Sequence, residues 1–343
     1  MGKCMIINEL EIGRGKRLAY LDAIKCLGIL LVICGHVQFF GMNVEAYSSP
    51  ATLMLYSFNM PLFFFVSGYL AFKERAIGEG SELKRLKDKF LFLVIPAFAF
   101  YIIYTLKNGG NILEFLQNGL GGYWFTFTLF EMFVIYYIVN AISKSKTSLV
   151  IILALLSIVG VGYLSFFSQY EIRFFDFNRL SKYFQFFTMG VFAKMYIEQY
   201  DRLMRNEYLK AFAIVSFFIL LFFLFQINMP SVVFHFLRDI VLRYLGLYIV
   251  ISLFYCKQDF FNRETKVNNI ILKIGQNSLA IYLMQYFFMP DFSAYPEWLQ
   301  GLDCLSNHAI CFVYTVFITA ICMIFIELLS NSMIVKKYVL GKK

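Results

Sequence analysis

Long apolar runs, separated by short polar segments, recur along the whole chain of 343 residues. An α-helix needs about 20 mainly apolar residues to cross a hydrocarbon layer roughly 30 Å thick. By this criterion the sequence predicts ten membrane-spanning helices, near residues 19–41, 53–72, 90–106, 123–142, 149–168, 183–197, 211–228, 236–255, 271–290 and 308–329. No segment has the pattern of a soluble domain, and we therefore expect an all-α integral membrane protein.

The composition and the positions of the basic residues support this prediction. Hydrophobic residues make up 60% of the chain, whereas about 45–50% is usual for soluble domains. Of the 31 Lys and Arg residues, 23 fall in the N-terminal segment 1–17, in the tail 330–343 and in every second connecting segment. The positive-inside rule then places both termini in the cytoplasm and makes residues 1–343 one polytopic membrane domain. Because the basic residues are spread from loop to loop, the net charge of +9 does not indicate a nucleic-acid-binding face.

Targeting, disulfide and metal signals are weak. The N-terminus has no continuous apolar core ahead of its basic cluster, so we expect the first run to be a retained helix and not a cleaved signal peptide. The seven cysteines stand singly and no pair has C-x-x-C spacing. The three histidines, His36, His235 and His308, are too far apart for a local metal motif. We therefore predict neither a disulfide framework nor a metal site.

The first apolar run carries three ionisable residues, Asp22, Lys25 and His36. Each residue of an α-helix advances by about 100°, so Lys25 and His36 return to nearly the same face after three turns, and Asp22 lies on that side as well. Ionisable groups in a membrane helix are costly and often functional. Asp22 and Lys25 are compatible with a simple ion pair at the helix end, whereas an imidazole deep in an apolar run suits proton transfer.

Other polar residues within predicted helices are candidates for substrate contacts. Glu131 lies in the fourth run, and Arg238 and Arg243 lie in the eighth. A membrane-embedded Arg suits a carboxylate, a phosphate or a glycan hydroxyl, although a buried ion pair between helices explains these residues equally well. In the second run Pro61 would kink or unwind the helix and free backbone groups beside Asn59, whereas Ser67 and Gly68 permit close helix approach.

Three stretches in the first third of the chain carry a family resemblance. LDAIKCLGILLVICGH resembles an LDxxRxxxxxxxxxxH segment, with Lys25 in place of Arg and His36 at the signature histidine. FNMPLFFFVSGYL resembles FHMPLFFFxSGYL, with Asn59 in place of His. ELKRLKDKFLFLVIP is similar to a basic stretch that runs into a proline, with Arg85 as the best counterpart of its arginines.

Three later stretches continue the resemblance in the same order. YWFTFTLF is similar to WFLxxLF and places Trp124 and Phe125, and YFQFFTMGVFAK resembles an FxFFxxG segment around Gly190. IGQNSLAIYLMQYFF is similar to LGxxSLxIYLxH, with Ser278 and Tyr282 retained and Gln285 where His is common. Together the six stretches resemble acyltransferase family 3, whose members include many bacterial O-acetyltransferases that modify cell-surface glycans.

The resemblance implies transfer of an acetyl group from acetyl-CoA to a hydroxyl of a cell-surface or lipid-linked glycan, in the bacterial inner (plasma) membrane. His36 would be the general base, with Asp22 and Lys25 on the same helix as its catalytic partners. The basic loop, with Lys84, Arg85 and Lys89, suits the phosphates of CoA. The substrate-binding candidates are the polar or aromatic residues within the runs: Asn59, Ser67, Trp124, Glu131, Arg238, Arg243 and Gln285.

Two other classes of function remain open at this point. A transporter or exporter of a small acid or glycan intermediate would line its pathway with the same charges. A scaffold in a glycan-assembly complex would tolerate substitution of His36. The expected partners are the glycan acceptor and membrane lipids, and a homo-oligomer is compatible with the sequence. Acyl-CoA turnover that depends on His36 would separate the enzyme from both alternatives.

Overall fold

The computed structural model of the protein describes residues 18–42, 49–73, 82–114, 121–167, 177–226, 232–290 and 304–341. Within these ranges, side chains are described except at 165–167, 223–226, 232–237 and 304–305. Every regular element in the described part of the chain is helical.

The α-helices follow one another with short connections. In chain order they are α1 (Ala19–His36), α2 (Pro50–Ala71), α3 (Glu82–Lys89), α4 (Ile95–Lys107), α5 (Trp124–Ile142), α6 (Lys146–Phe167), α7 (Phe177–Met195), α8 (Ile197–Met204), α9 (Glu207–Gln226), α10 (Val232–Cys256), α11 (Gln258–Phe261), α12 (Lys266–Gln276), α13 (Ser278–Met284), α14 (Cys304–Leu329) and α15 (Met333–Tyr338). A π-helical turn at Val37–Gly41 extends α1, and another at Phe90–Val94 joins α3 to α4. Short 3₁₀ turns precede α5 at Gly121–Tyr123 and follow α13 at Gln285–Phe287.

Seven segments of the described chain are long and apolar enough to cross a membrane: Ala19–Gly41, Pro50–Ala71, Glu82–Lys107, Gly121–Ile142, Lys146–Leu164, Arg238–Cys256 and Ser306–Leu329. They coincide with seven of the ten predicted runs, and the protein is a multi-pass membrane protein. The predicted run 183–197 lies on α7, and the described part of the run 211–228 lies on α9. Ten spans, like the orientation of the termini, therefore stay predictions.

The predicted run 271–290 is not one continuous helix. Helix α12 ends at Gln276, and α13 begins at Ser278 after a non-helical Asn277. The side-chain amide of Asn277 donates to the carbonyl oxygen of Lys273 at 2.6 Å, so it satisfies one of the free carbonyls at the end of α12. Because of this break, α13 is a separate short helix, and it ends at the buried residue Met284.

Helices α2 and α7 cross at close backbone contact. A methyl group on Gly68 of α2 would clash with the carbonyl oxygen of Phe187, and one on Gly190 of α7 would clash with that of Phe65. Two glycines therefore let the backbones meet, as small residues do in membrane helix packing. By contrast, α2 continues through Pro61 as one helix, so the helix does not unwind at this proline.

Helix α1 runs through the interior and positions the site. Its residues Ile24, Ile29 and Ile33 are fully buried. It packs against α2, α12, α13 and α14, and Gly275 of α12 lies directly on the backbone of Asp22. The polar stripe of α1 consequently faces other helices.

Candidate active site

A cavity of about 260 Å³ follows one stripe of α1. Lys25, Ile29 and Val32 line it, at spacings of four and three residues that return to the same helix face. His36 comes four residues later on that stripe, roughly 16 Å beyond Lys25 along the helix axis. The cavity thus leads along α1 from the lysine toward the histidine.

The walls of the cavity come from segments that are far apart in the sequence. Helices α2 and α5 supply mainly apolar groups, with the Ser67 hydroxyl as a polar exception. The turn between α3 and α4, helices α12 and α13, and Gly341 near the end of the chain complete the lining. The lining is therefore mainly apolar, and we call the part formed by Lys25 and Lys89 the polar end of the cavity.

Two lysines lie at the polar end of the cavity. Lys25 forms an ion pair with Asp22, with 2.6 Å between its Nζ and Oδ1. Lys89 lines the cavity from α3 and lies over the Phe133 ring, 4.0 Å from its centroid. Helix α3 is held against α5 because the amide of Asn140 donates to Oε1 of the buried Glu82 at 3.0 Å.

The other basic residues of α3 lie outside the lining of the cavity. Arg85 is half-buried and acts electrostatically on Tyr136 and Tyr137, whereas Lys84 is exposed. Helix α15, which carries Lys336 and Lys337, packs on the turn between α3 and α4.

Aromatic side chains close the inner end of the cavity. Tyr282 of α13 and Phe125 of α5 line that end. The Tyr282 hydroxyl donates to the carbonyl oxygen of Gly122, and the Phe125 amide donates to the Tyr282 oxygen at 3.4 Å. The Tyr286 hydroxyl donates to the same Gly122 carbonyl at 2.7 Å. These bonds fix a layer of rings between the cavity and His36.

His36 lies on the far side of this aromatic layer. Its ring centroid is 5.2 Å from that of Tyr286 and 5.5 Å from that of Phe40. The residue is half-buried, and its Nδ1 is buried without a partner within hydrogen-bond distance. An imidazole with one enclosed nitrogen can present its other nitrogen to a substrate.

Gln285 is the polar neighbour of the histidine. It has no exposed surface, its Nε2 donates to the carbonyl oxygen of Tyr282 at 3.0 Å, and its Oε1 has no partner within strict hydrogen-bond distance. Its side chain interacts with the imidazole of His36. The 3₁₀ turn after α13 therefore places the side chain of Gln285 beside the imidazole of His36.

The remaining predicted site residues are dispersed. Asn59 is buried and accepts from the amide of Met60 at 2.7 Å, and Glu131 is buried on α5. Trp124 lies next to the aromatic layer, with the Arg179 guanidinium 4.6 Å above its ring. Arg238 and Arg243 lie on α10 outside the cavity lining, where both interact with Asp239.

Several residues of the site carry no signal that sequence reasoning used. Tyr286 lies one turn after Tyr282, so the pair could have been recognised as one helix face. Gly341 gave no such signal, because a glycine residue becomes part of a site only through the fold. Phe125, by contrast, follows Trp124 in the segment that is similar to WFLxxLF. In the described residues no group of three or more His, Cys, Asp or Glu could hold a metal ion.

Comparison with known proteins identifies the class. Residues 18–327 match the family model of acyltransferase family 3, described as "Acyltransferase domain", and the chain belongs to this family. Nodulation protein NolL of Sinorhizobium fredii is 29% identical over 136 residues, which cover 36% of this chain and 37% of that protein. Nodulation protein NolL of Mesorhizobium japonicum is 28% identical over 145 residues, 38% of each chain. This chain thus spans well under half the length of either relative in these alignments. No solved structure matches the chain.

Proposed function

We propose that the protein is a membrane O-acyltransferase that moves an acetyl group from acetyl-CoA to a hydroxyl of a cell-surface or lipid-linked glycan. One observation carries the proposal: the stripe of α1 that lines the cavity from Lys25 to Val32 continues to His36, where the imidazole is enclosed on its Nδ1 side. Membership of acyltransferase family 3 supports the reaction class.

The cavity has properties that suit the donor. CoA combines anionic phosphates with a long thin arm that ends in the thioester. Lys25 and Lys89 would attract the phosphates at the polar end, and the basic residues of α3, including Lys84 and Arg85, would hold the nucleotide outside. The apolar walls would take the arm, and Ser67 adds one hydroxyl beside it. The Asp22–Lys25 pair would hold the lysine in place.

In this mechanism His36 removes the proton from the acceptor hydroxyl as that oxygen attacks the thioester carbon. General-base catalysis contributes about 10²- to 10⁴-fold. Gln285 would accept a hydrogen bond from Nδ1–H, which leaves Nε2 free to receive the proton. The carbon–sulfur bond of the thioester then breaks, and the CoA thiolate takes up the proton held by His36 and leaves as the thiol. The aromatic layer must shift for the arm to reach His36, since Tyr282 and Phe125 lie between them.

In the proposed orientation, the donor and the acceptor would reach the protein from opposite sides of the membrane. With ten spans and both termini in the cytoplasm, the Lys25 end of α1 faces the cytoplasm, where CoA is made, and His36 lies toward the opposite surface. Residues 1–343 would act as one membrane domain. The donor and the acceptor would then meet along α1.

The proposal is tested by the mass of surface glycans from cells with the intact gene, without it, and with His36→Ala. We expect one base-labile acyl mass to disappear in both altered strains. His308→Ala is the matched control and should retain the modification. Unchanged glycans in all strains would contradict acyl transfer and favour a transporter, in which the charges line a pathway.

A further inference from the structure

A second polar cluster lies on α10, outside the donor cavity. The Nε of Arg238 donates to Oδ1 of Asp239 at 3.0 Å, and a terminal nitrogen of Arg243 lies 3.7 Å from Oδ2 of the same carboxylate. Lys182 of α7 is close enough to interact electrostatically with Arg243 and Asp239. We call Arg238, Arg243 and Lys182 the outer cation cluster. Two arginines thus share the Asp239 carboxylate, and Lys182 adds a third positive charge nearby.

Arg243 is the least satisfied member of the cluster. The residue is only 5% exposed, and its buried Nε has no hydrogen-bond partner. It lies eleven residues into α10, roughly 16 Å along the axis from Val232. A buried guanidinium with an unpaired donor is costly in an apolar environment, and it presents a planar fork to an incoming oxyanion. The cluster is therefore equipped to bind an anion.

The cluster is also connected to the His36 end of α1. Arg243 and Asp239 share a small crevice with Tyr56 and Ser57 of α2. The Tyr56 hydroxyl donates to the carbonyl oxygen of Gly35 at 2.6 Å. Gly35 directly precedes His36, so one tyrosine side chain joins the crevice to the catalytic turn.

We propose that the acceptor carries an oxyanion, either a phosphate or a carboxylate, and that the outer cation cluster binds this group while the sugar hydroxyl lies at His36. This inference rests on the proposed acyl transfer and adds the chemical class of the acceptor. Arg243 supplies the fork, Arg238 and Lys182 add charge, and Asp239 holds the arginines in place when the site is empty. The phosphate of a lipid-linked sugar and the carboxylate of an acidic sugar share this chemistry.

Binding of defined probes to the full-length protein in phosphatidylcholine nanodiscs tests the proposal. The probes are a labelled polyprenyl phosphate and the matching neutral polyprenol, with glucuronate and glucose as competitors. We expect saturable binding of the phosphate and none of the polyprenol. Arg243→Gln should weaken binding at least about tenfold, because a charge-assisted bond is lost. Arg202→Gln, at an exposed arginine of α8, is the matched control.

Two further variants keep the test decisive if Arg243→Gln does not fold. Lys182→Gln should also weaken binding, whereas Asp239→Asn should tighten it, because the competing carboxylate is removed. Weaker binding by Asp239→Asn would show that Asp239 and the cations form only a structural ion-pair cluster. This result would overturn the proposal. Competition by glucuronate but not glucose, without binding of polyprenyl phosphate, would assign the oxyanion to an acidic sugar.

Other outcomes separate this inference from the proposed reaction. If neither anion binds while acyl transfer still depends on His36, the acceptor class is wrong and the reaction stands. If binding depends on Arg243 but His36→Ala transfers acyl groups normally, the reaction mechanism is wrong. If phosphatidylglycerol competes as well as polyprenyl phosphate, the cluster is a lipid headgroup site and the acceptor assignment fails.

Discussion

Replacement of Gln285 by leucine should slow acyl transfer without weakening donor binding. The side chain is fully buried, and leucine has a similar size, so the change removes the amide and leaves little empty space. The variant loses the hydrogen bond to the Tyr282 carbonyl, which costs about 1 kcal/mol of folding stability. It also loses the polar group that interacts with the imidazole of His36.

The kinetic effect follows from the charge that develops on the imidazole. In the proposed mechanism His36 takes the proton, and a hydrogen bond from Nδ1–H to the Gln285 oxygen would then involve a charged group, which contributes about 1.5–3 kcal/mol. At 1.36 kcal/mol per tenfold change in rate, kcat should fall roughly 10- to 150-fold. The KM for acetyl-CoA should not change, because Gln285 lies outside the cavity lining.

The assay is steady-state release of the CoA thiol by purified protein in proteoliposomes. Gln285→Glu keeps an acceptor oxygen in the same position and should recover most of kcat. Gln258→Leu makes the same substitution on α11, away from the site, and should leave both constants unchanged. A folded Gln285→Leu protein with normal kcat would refute the positioning role, and a rise in KM alone would place the residue in donor binding.

Further variants test the donor cavity and the helix crossing that supports it. Lys89→Gln should raise the KM for acetyl-CoA several-fold, measured by thiol release, because one cation leaves the polar end of the cavity. Arg85→Ala should raise the same KM, and an unchanged value would exclude this residue from phosphate contact. Ser67→Phe should fill the cavity and abolish donor binding, measured by titration with labelled CoA, while the protein stays inserted. Gly68→Ala should lower the free energy of unfolding by about 1–3 kcal/mol, because the methyl group meets α7, and unchanged thermal stability would contradict the tight crossing.

The stripe on α1 could be predicted from sequence because helical periodicity alone fixes it. Lys25 and His36 are eleven residues apart, and the helix that contains them is continuous, so their common face follows from geometry. The seven long apolar spans are equally clear from hydropathy. Both features depend only on local sequence, so they can be predicted without knowledge of the fold.

Features that depend on helix packing could not be predicted in this way. The break at Asn277 lies inside an apolar run, where hydropathy does not distinguish one helix from two. Gln285 could be recognised only as an exception to a family pattern, and its position beside His36 results from that break. Gly341 reaches the cavity because α15 packs on the turn between α3 and α4, a long-range contact with no local signature.

The central claim is that His36 performs acyl transfer at the end of the α1 stripe. Thiol release from acetyl-CoA by the purified wild-type protein and by His36→Ala, each in proteoliposomes that contain the acceptor, tests it most directly. We expect the rate of the variant to fall about 10²- to 10⁴-fold while titration with labelled CoA gives the same affinity. Equal rates in the two proteins would contradict the account.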